Sequence, residues 1–458
     1  MPFRSIDPFR GTLHESFPEL DSRGLDAALE RARLGAELWA ATPLERRCAA
    51  LGRLATVLRA EAPRLATIAA LEMGKPVRQG RAEVEKCAWA CEHYATHAAA
   101  LLAPEPVETD AARSYVRFDP LGVVLAIMPW NFPFWQVFRF AAPALAAGNV
   151  VLLKHAPNVP RCALEIERMA SSARVVEGGL QTLFVSAHVA GELIAHPVVK
   201  AVTFTGSTRA GADVAAKAGR ALKKSVLELG GSDPFVVRAD ADVAAAARAA
   251  TQARTQNAGQ SCIAAKRFVV VHDLAEAFVE AFRRELEGLQ VGDPQREDTD
   301  VGPLAREDLL LTLEAQVRRS IEAGAKLVTG GHRLPGPGFF YAPTLLDGVT
   351  PGMAVADEET FGPVAAVIRV RDDAEAVRVA NQTEYGLGAS VWSRDSHAAE
   401  ALAARIESGS VFVNGMVKSD PRLPFGGIKH SGYGRELSVH GLHEFVNLKT
   451  VWVGRPDG

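Results

Sequence analysis

Val123-Val-Leu-Ala-Ile127, Val150-Val-Leu-Leu-Lys154, Ala201-Val-Thr-Phe-Thr205 and Ser225-Val-Leu-Glu-Leu229 are four short β-rich runs within residues 121–229, with a fifth at 182–185. Apolar residues at three- and four-residue spacing fill the intervals 134–147, 161–177, 188–195 and 209–218, which predicts helices there. Strands alternating with helices of this length predict a doubly wound, mostly parallel sheet. Upstream, residues 25–41, 43–73 and 79–103 read as three helices, the last two separated by Gly74-Lys75-Pro76. Downstream a second α/β block is expected, with helices at 242–257, 275–288 and 308–323 and strands at 267–271, 364–370, 389–392 and 411–414. The β-like tail at 448–453 can pair within the chain or with another one.

The chain has 458 residues, 48% hydrophobic and 23% charged, which suits a globular protein of about three parts and excludes a disordered or fibrous one. Lys and Arg number 51 against 54 Asp and Glu, leaving a net charge of −3. No basic excess is present for a nucleic-acid groove or a polybasic membrane anchor. Five scattered cysteines make no disulfide framework and fit a reducing compartment. The first twenty residues carry Arg4, Asp7 and Glu15, so no signal peptide is expected. Residues 120–138 lack charge, but Pro129, Asn131 and Pro133 favour a strand and a loop there over a membrane span.

Cys262 closes Asn257-Ala-Gly-Gln-Ser-Cys262 after a long helical run. Gly259 lets backbone N–H groups turn toward the sulfur and favour a thiolate, which marks a candidate nucleophile. An ordinary core cysteine is the competing reading. Cys87 and Cys91, one helical turn apart, lack remote partners for zinc, so no metal is expected. Glu228 ends an apolar run before Gly230 and Gly231, where a general base has room for a substrate; a carboxylate satisfied by loop N–H groups is the alternative. Asn131, in Met128-Pro-Trp-Asn-Phe-Pro133, offers an amide frozen by prolines and aromatics, as an oxyanion hole requires, unless it serves the turn alone. Gly206-Ser207, between a strand and a helix, suits a diphosphate, and Lys154 at a strand end suits a ribose, a merely solvated lysine being the competing reading. The Gly206-to-Gly211 spacing lacks the Gly-Lys-Ser/Thr ending of a nucleotide hydrolase, and no Gly-x-Gly-x-x-Gly fingerprint opens the first βα unit.

Taken in order, Trp130-Asn-Phe-Pro133, Lys154, Phe204-Thr-Gly-Ser207, Leu227-Glu-Leu-Gly-Gly231, Gly259-Gln-Ser-Cys262, Glu358-Glu-Thr-Phe-Gly-Pro363 and Pro424-Phe-Gly-Gly427 form a series. It resembles the NAD(P)-dependent aldehyde dehydrogenase superfamily over nearly the whole chain. Leu153-Lys-His-Ala-Pro-Asn158, Gly230-Gly-Ser-Asp-Pro-Phe235 and Gly441-Leu-His-Glu-Phe445 are most similar to the shorter bacterial succinate-semialdehyde dehydrogenases. The resemblance implies an α/β fold with a Rossmann-like cofactor domain (1–106 and 124–229) and an α/β catalytic domain (230–429). A small β bridging or oligomerisation element (107–123 and 430–458) completes it, in a cytoplasmic homodimer or homotetramer.

By the same resemblance Cys262 attacks the aldehyde, Asn131 and the Cys262 N–H hold the oxyanion, and Glu228 activates the water that hydrolyses a thioester. Trp130, Asn131, Lys154, Pro157, Gly206, Ser207, Leu229, Glu359 and Phe361 serve the dinucleotide. Trp135, Arg139, Ser261 and Ser419 meet the substrate, Arg139 and Ser419 gripping a carboxylate. Pro157 departs from the acidic residue that many NAD-preferring members carry there, so NADP is expected, with NAD also accepted. The expected reaction is oxidation of succinate semialdehyde or a similar short carboxylated aldehyde. Glutarate semialdehyde is the nearest alternative, since one methylene is worth only about 1–3 kcal/mol. A catalytically silent binding or structural protein on this scaffold is the alternative from another class.

Overall fold

The computed structural model describes residues 3–455. A six-stranded sheet runs in spatial order Gly432–Tyr433, Lys224–Glu228, Val199–Thr205, Val123–Ile127, Val150–Lys154, Leu180–Thr182. Every pairing is parallel except that of Gly432–Tyr433. Ile127 stands opposite both Lys154 and Phe204, and Thr205 opposite Glu228. The register therefore gathers the ends of four strands on one edge. The strand order reverses beside Val123–Ile127, and a crevice at such a reversal is where open α/β sheets take ligands.

Helices Ser22–Ala41, Leu44–Met73, Val77–Leu101, Trp135–Ala147 and Pro160–Ser172 belong to the same hydrophobic core as this sheet. Trp135–Ala147 is buried at every residue. A second, seven-stranded sheet has Ala265–Val271 near its middle, parallel to Asp233–Val237 on one side and Val364–Val370 on the other. The tail strand Val446–Val453 pairs antiparallel along its full length with Arg113–Pro120 of the same chain. None of the described helices is long and apolar enough to cross a membrane.

The expected strands at 123–127, 150–154 and 364–370 fall where they were placed. The 182–185 strand instead pairs as Leu180–Thr182. Its central residue, Gln181, is buried and satisfied by Arg31 and the Ala28 carbonyl, so its polarity hides the strand in the sequence. The helix expected through 177 ends at Ser172, because Arg174 and Gly178 turn the chain at φ 59° and 78°.

Candidate active site

Cys262 sits in the loop before Ala265–Val271, the N-terminal end of the second sheet's central strand. The preceding helix, Val243–Thr255, ends in a tight turn where Asn257, Ala258 and Gly259 take φ of 56°, 54° and 74°. Side chains in this region cost about 1–3 kcal/mol each and persist only where surroundings impose them. Gly259 is obligatory, since a Cβ there would lie 2.2 Å from the Gly362 carbonyl oxygen. The Asn257 N–H donates to Gln79 Oε1 at 2.7 Å, and Arg254 Nη2 donates to the Gly259 carbonyl at 2.6 Å. Lys266 is buried beneath the loop and donates to the carbonyls of Ser261, Cys262 and Ala264 at 3.0, 2.9 and 3.2 Å. Sequence reasoning missed Lys266, although two cations opening a strand of otherwise apolar residues were a usable signal.

Burial pushes the Cys262 thiol up to about 12, with Arg139 and Lys266 pulling the other way. Cys262 is half-buried, whereas Cys87, Cys91 and Cys162 are buried in helices. All five cysteines are free. Among the described residues no cluster of three His, Cys, Asp or Glu stands ready for a metal.

Asn131 ties the two sheets together. Its Nδ2 donates to the Gln260 carbonyl at 3.1 Å, and its own carbonyl accepts from Asn257 Nδ2 at 2.7 Å. An amide nitrogen has two hydrogens, so one remains for an oxyanion beside Cys262. The loop that carries it is anchored by groups the sequence did not single out. Glu83 accepts the N–H groups of Phe134 and Trp135, both at 2.9 Å, at the start of helix Trp135–Ala147. Lys75 pairs with Glu83 and lies over the Phe132 ring at 3.9 Å, and His155 meets the Pro133 carbonyl at 2.8 Å.

Glu228 is buried, and neither carboxylate oxygen has a hydrogen-bond partner. The loop N–H groups that a purely structural strand-end carboxylate would use are not on it. Burial raises it to about 8; Arg139 and Arg435 oppose that rise and Glu436 adds to it. Gly426 packs against it, where a Cβ would come within 2.8 Å of Glu228 Oε1.

A cavity of about 220 Å³ opens at the sulfur and is lined by Trp135, Arg139, Ser261, Cys262 and Ser419, so the substrate candidates converge there. Arg139 is buried and ion-paired with Glu436, and its guanidinium lies 4.5 Å from the Phe425 ring centroid. Removing one partner of a buried ion pair costs about 3–5 kcal/mol. Arg139→Ala is therefore expected to lower thermal stability as well as activity, which scanning calorimetry checks; an unchanged melting temperature would mean that the pair holds nothing.

Lys154, Gly206, Ser207 and Leu229 lie at or just beyond the C-terminal strand ends of the first sheet, with Trp130 and Pro157 on the loops that leave it. Trp130 meets Phe361 edge-on at 5.9 Å. Glu359 accepts the Gly231 N–H at 2.9 Å. Ser207 caps the 13-residue helix Thr208–Arg220. Gly206 leaves open a space that a Cβ could share only by displacing the Phe204 ring, 2.6 Å away. Lys154 makes no ion pair among the described residues, and the exposed Pro157 brings no carboxylate. These features fit a dinucleotide, with Lys154 left unpaired among the described residues and proline at 157.

The profile described as the aldehyde dehydrogenase family matches residues 1–451. A Synechocystis protein named a probable succinate-semialdehyde dehydrogenase (NADP(+)) is 48% identical over 453 residues, covering 99% of this chain and 100% of the relative. One from Mycobacterium tuberculosis, named succinate-semialdehyde dehydrogenase (NADP(+)) 1, is 47% identical over 456 residues, with coverage of 99% and 100%. The crystal structure of succinic semialdehyde dehydrogenase from Streptococcus pyogenes in complex with NADP+ superposes with a TM-score of 0.97 at 37% identity, covering 99% of this chain and 100% of that one.

Proposed function

The chain belongs to the aldehyde dehydrogenase family, and we propose that it oxidises succinate semialdehyde to succinate with NADP. The observation that carries this reading is the convergence on one cavity of Cys262 with Ser419 and a lining that holds Arg139 and Lys86 and no carboxylate, a wall suited to an anionic substrate. The Cys262 thiol gives up its proton to solvent as its sulfur bonds to the aldehyde carbon, and the oxygen's developing charge meets the free Asn131 N–H and the Cys262 N–H. Glu359 and Phe361 would hold the nicotinamide end of the cofactor, which would supply a hydride acceptor for the carbon bonded to sulfur, so that oxidation leaves a thioester on Cys262. The Glu228 carboxylate then takes a proton from water as that water attacks the thioester carbon, the sulfur leaves, and the acid is released. Trp130, Lys154, Pro157, Gly206, Ser207, Leu229, Glu359 and Phe361 would hold the dinucleotide.

We read the chain as the cofactor, catalytic and bridging parts set out from the sequence, assembled as a cytoplasmic homodimer or homotetramer. The functional test is a steady-state panel of succinate semialdehyde, glutarate semialdehyde and uncharged aldehydes with both cofactors. Succinate semialdehyde with NADP is expected to give the highest kcat/KM; a better uncharged substrate overturns the reading.

Pro157→Glu tests the cofactor half of it. A carboxylate there accepts ribose hydroxyls and repels a 2′-phosphate, by about 4 kcal/mol per unit charge at 4 Å and an effective dielectric of 20. The ratio of kcat/KM for NAD over NADP is expected to rise about ten-fold, equivalent to about 1.4 kcal/mol. Strong NAD preference in the wild type would contradict the assignment before any substitution.

A further inference from the structure

We infer that Lys86 is a substrate-binding residue, the cation that, with the Ser419 hydroxyl, selects a carboxylate at the far end of the aldehyde. This rests on the function proposed above. Lys86 rises from helix Val77–Leu101 and lines the 220 Å³ cavity that holds Cys262. It also lines a neighbouring cavity of about 490 Å³, and Phe132 and Trp135 are shared by both. Its ammonium donates to Ser419 Oγ at 2.8 Å and lies 4.5 Å from the Trp135 ring centroid.

Among the described residues Lys86 forms no ion pair, and the carboxylates nearest in effect are committed elsewhere. Glu83 pairs with Lys75 and caps helix Trp135–Ala147. Asp420 accepts from Arg422 Nε and Nη2 at 2.9 and 2.7 Å and from the Arg422 N–H at 2.9 Å. Arg139 already has Glu436. Lys86, Arg139 and the exposed Lys418 line this cavity and no carboxylate does, so an anionic substrate supplies the countercharge that the lining lacks. A poorly solvated, uncompensated ammonium is unfavourable, and burial followed by the charge of Arg139 pulls Lys86 down to about 8.

Ser419 strengthens the assignment. Its oxygen accepts from Lys86 at 2.8 Å and from Trp135 Nε1 at 3.0 Å, which uses both lone pairs. Its single O–H is left to donate, and two of the three Lys86 N–H donors are left beside it. Three spare donors on a cationic wall favour a carboxylate over an uncharged acceptor, because charge-assisted hydrogen bonds are the stronger ones.

The test compares kcat/KM for succinate semialdehyde with that for butanal, an uncharged aldehyde of the same chain length. Lys86→Met is expected to lower the ratio of the two by about 10- to 100-fold, the range for a charge-assisted hydrogen bond. Lys86→Gln keeps a donor toward Ser419 without the charge and is expected to lower it similarly. Lys86→Arg is expected to restore most of it. NADP binding, followed by protein fluorescence, reports whether each variant is folded. Equal losses for both aldehydes, or a ratio unchanged in Lys86→Gln, overturn the inference while the functional reading stands. A wild-type enzyme that does not prefer succinate semialdehyde to butanal overturns the functional reading, and this inference with it.

Discussion

Cys262→Ala is expected to reduce steady-state NADPH formation to below about 1% of wild type while NADP still binds. The reaction proposed for this site passes through a bond to the Cys262 sulfur, and alanine offers nothing in its place. The loop itself does not depend on the thiol. Lys266 holds three of its carbonyls, Arg254 holds the Gly259 carbonyl, and Asn257 bridges to the Asn131 loop. All of these are contacts to main chain, which the substitution leaves in place. Absorbance at steady state measures the loss, and fluorescence titration with NADP separates it from unfolding. Turnover above that level would remove Cys262 as nucleophile and return it to the ordinary cysteine its local sequence also allowed.

The parts of the site legible in the sequence are those whose neighbours in the chain explain them. Asn131 sits between prolines and aromatics, Cys262 follows a glycine turn, and Glu228 precedes paired glycines; each local oddity marks a position in the proposed site. The strands 123–127 and 150–154 were equally plain, because their apolar runs have no polar interruption. Lys86, Glu83 and Glu436 were not legible. Lys86 and Glu83 within helical periodicity, and Glu436 in a polar, Gly-rich stretch, read as solvated, and what distinguishes these is a partner far away in the chain. Lys86 meets Ser419 across 333 residues, Glu83 caps a helix 51 and 52 residues on, and Glu436 pairs with Arg139. Asp233–Val237 was missed for a related reason. Asp and Pro at its start look like a turn, yet Asp233 Oδ1 is satisfied by the Gly388 N–H at 3.1 Å.

Glu228→Gln is expected to leave a rapid burst of NADPH and then slow steady turnover by about 10²–10⁴-fold, the usual worth of a positioned general base. Formation of the thioester needs no water, whereas its hydrolysis needs a carboxylate to take the water's proton. Glutamine keeps the volume and removes the base. The wild-type pH profile gives a second handle. A carboxyl raised to about 8 is protonated, and idle as a base, through most of the neutral range, so the hydrolytic rate should climb with pH and level off above about 8. In Glu228→Gln that climb should be missing. The same shift acts on stability with the opposite sense. Because the folded group binds its proton more tightly than the unfolded one, its contribution is complete below the ordinary carboxylate range and is lost as pH rises through about 8. The glutamine variant should therefore hold its melting temperature better than wild type in alkaline solution, which shows that its slow turnover is not damage to the fold. Stopped-flow absorbance across this pH range separates the two steps. If the burst vanishes together with the turnover, Glu228 acts before hydride transfer, on the Cys262 proton, and the thiol raised to about 12 is the group it serves.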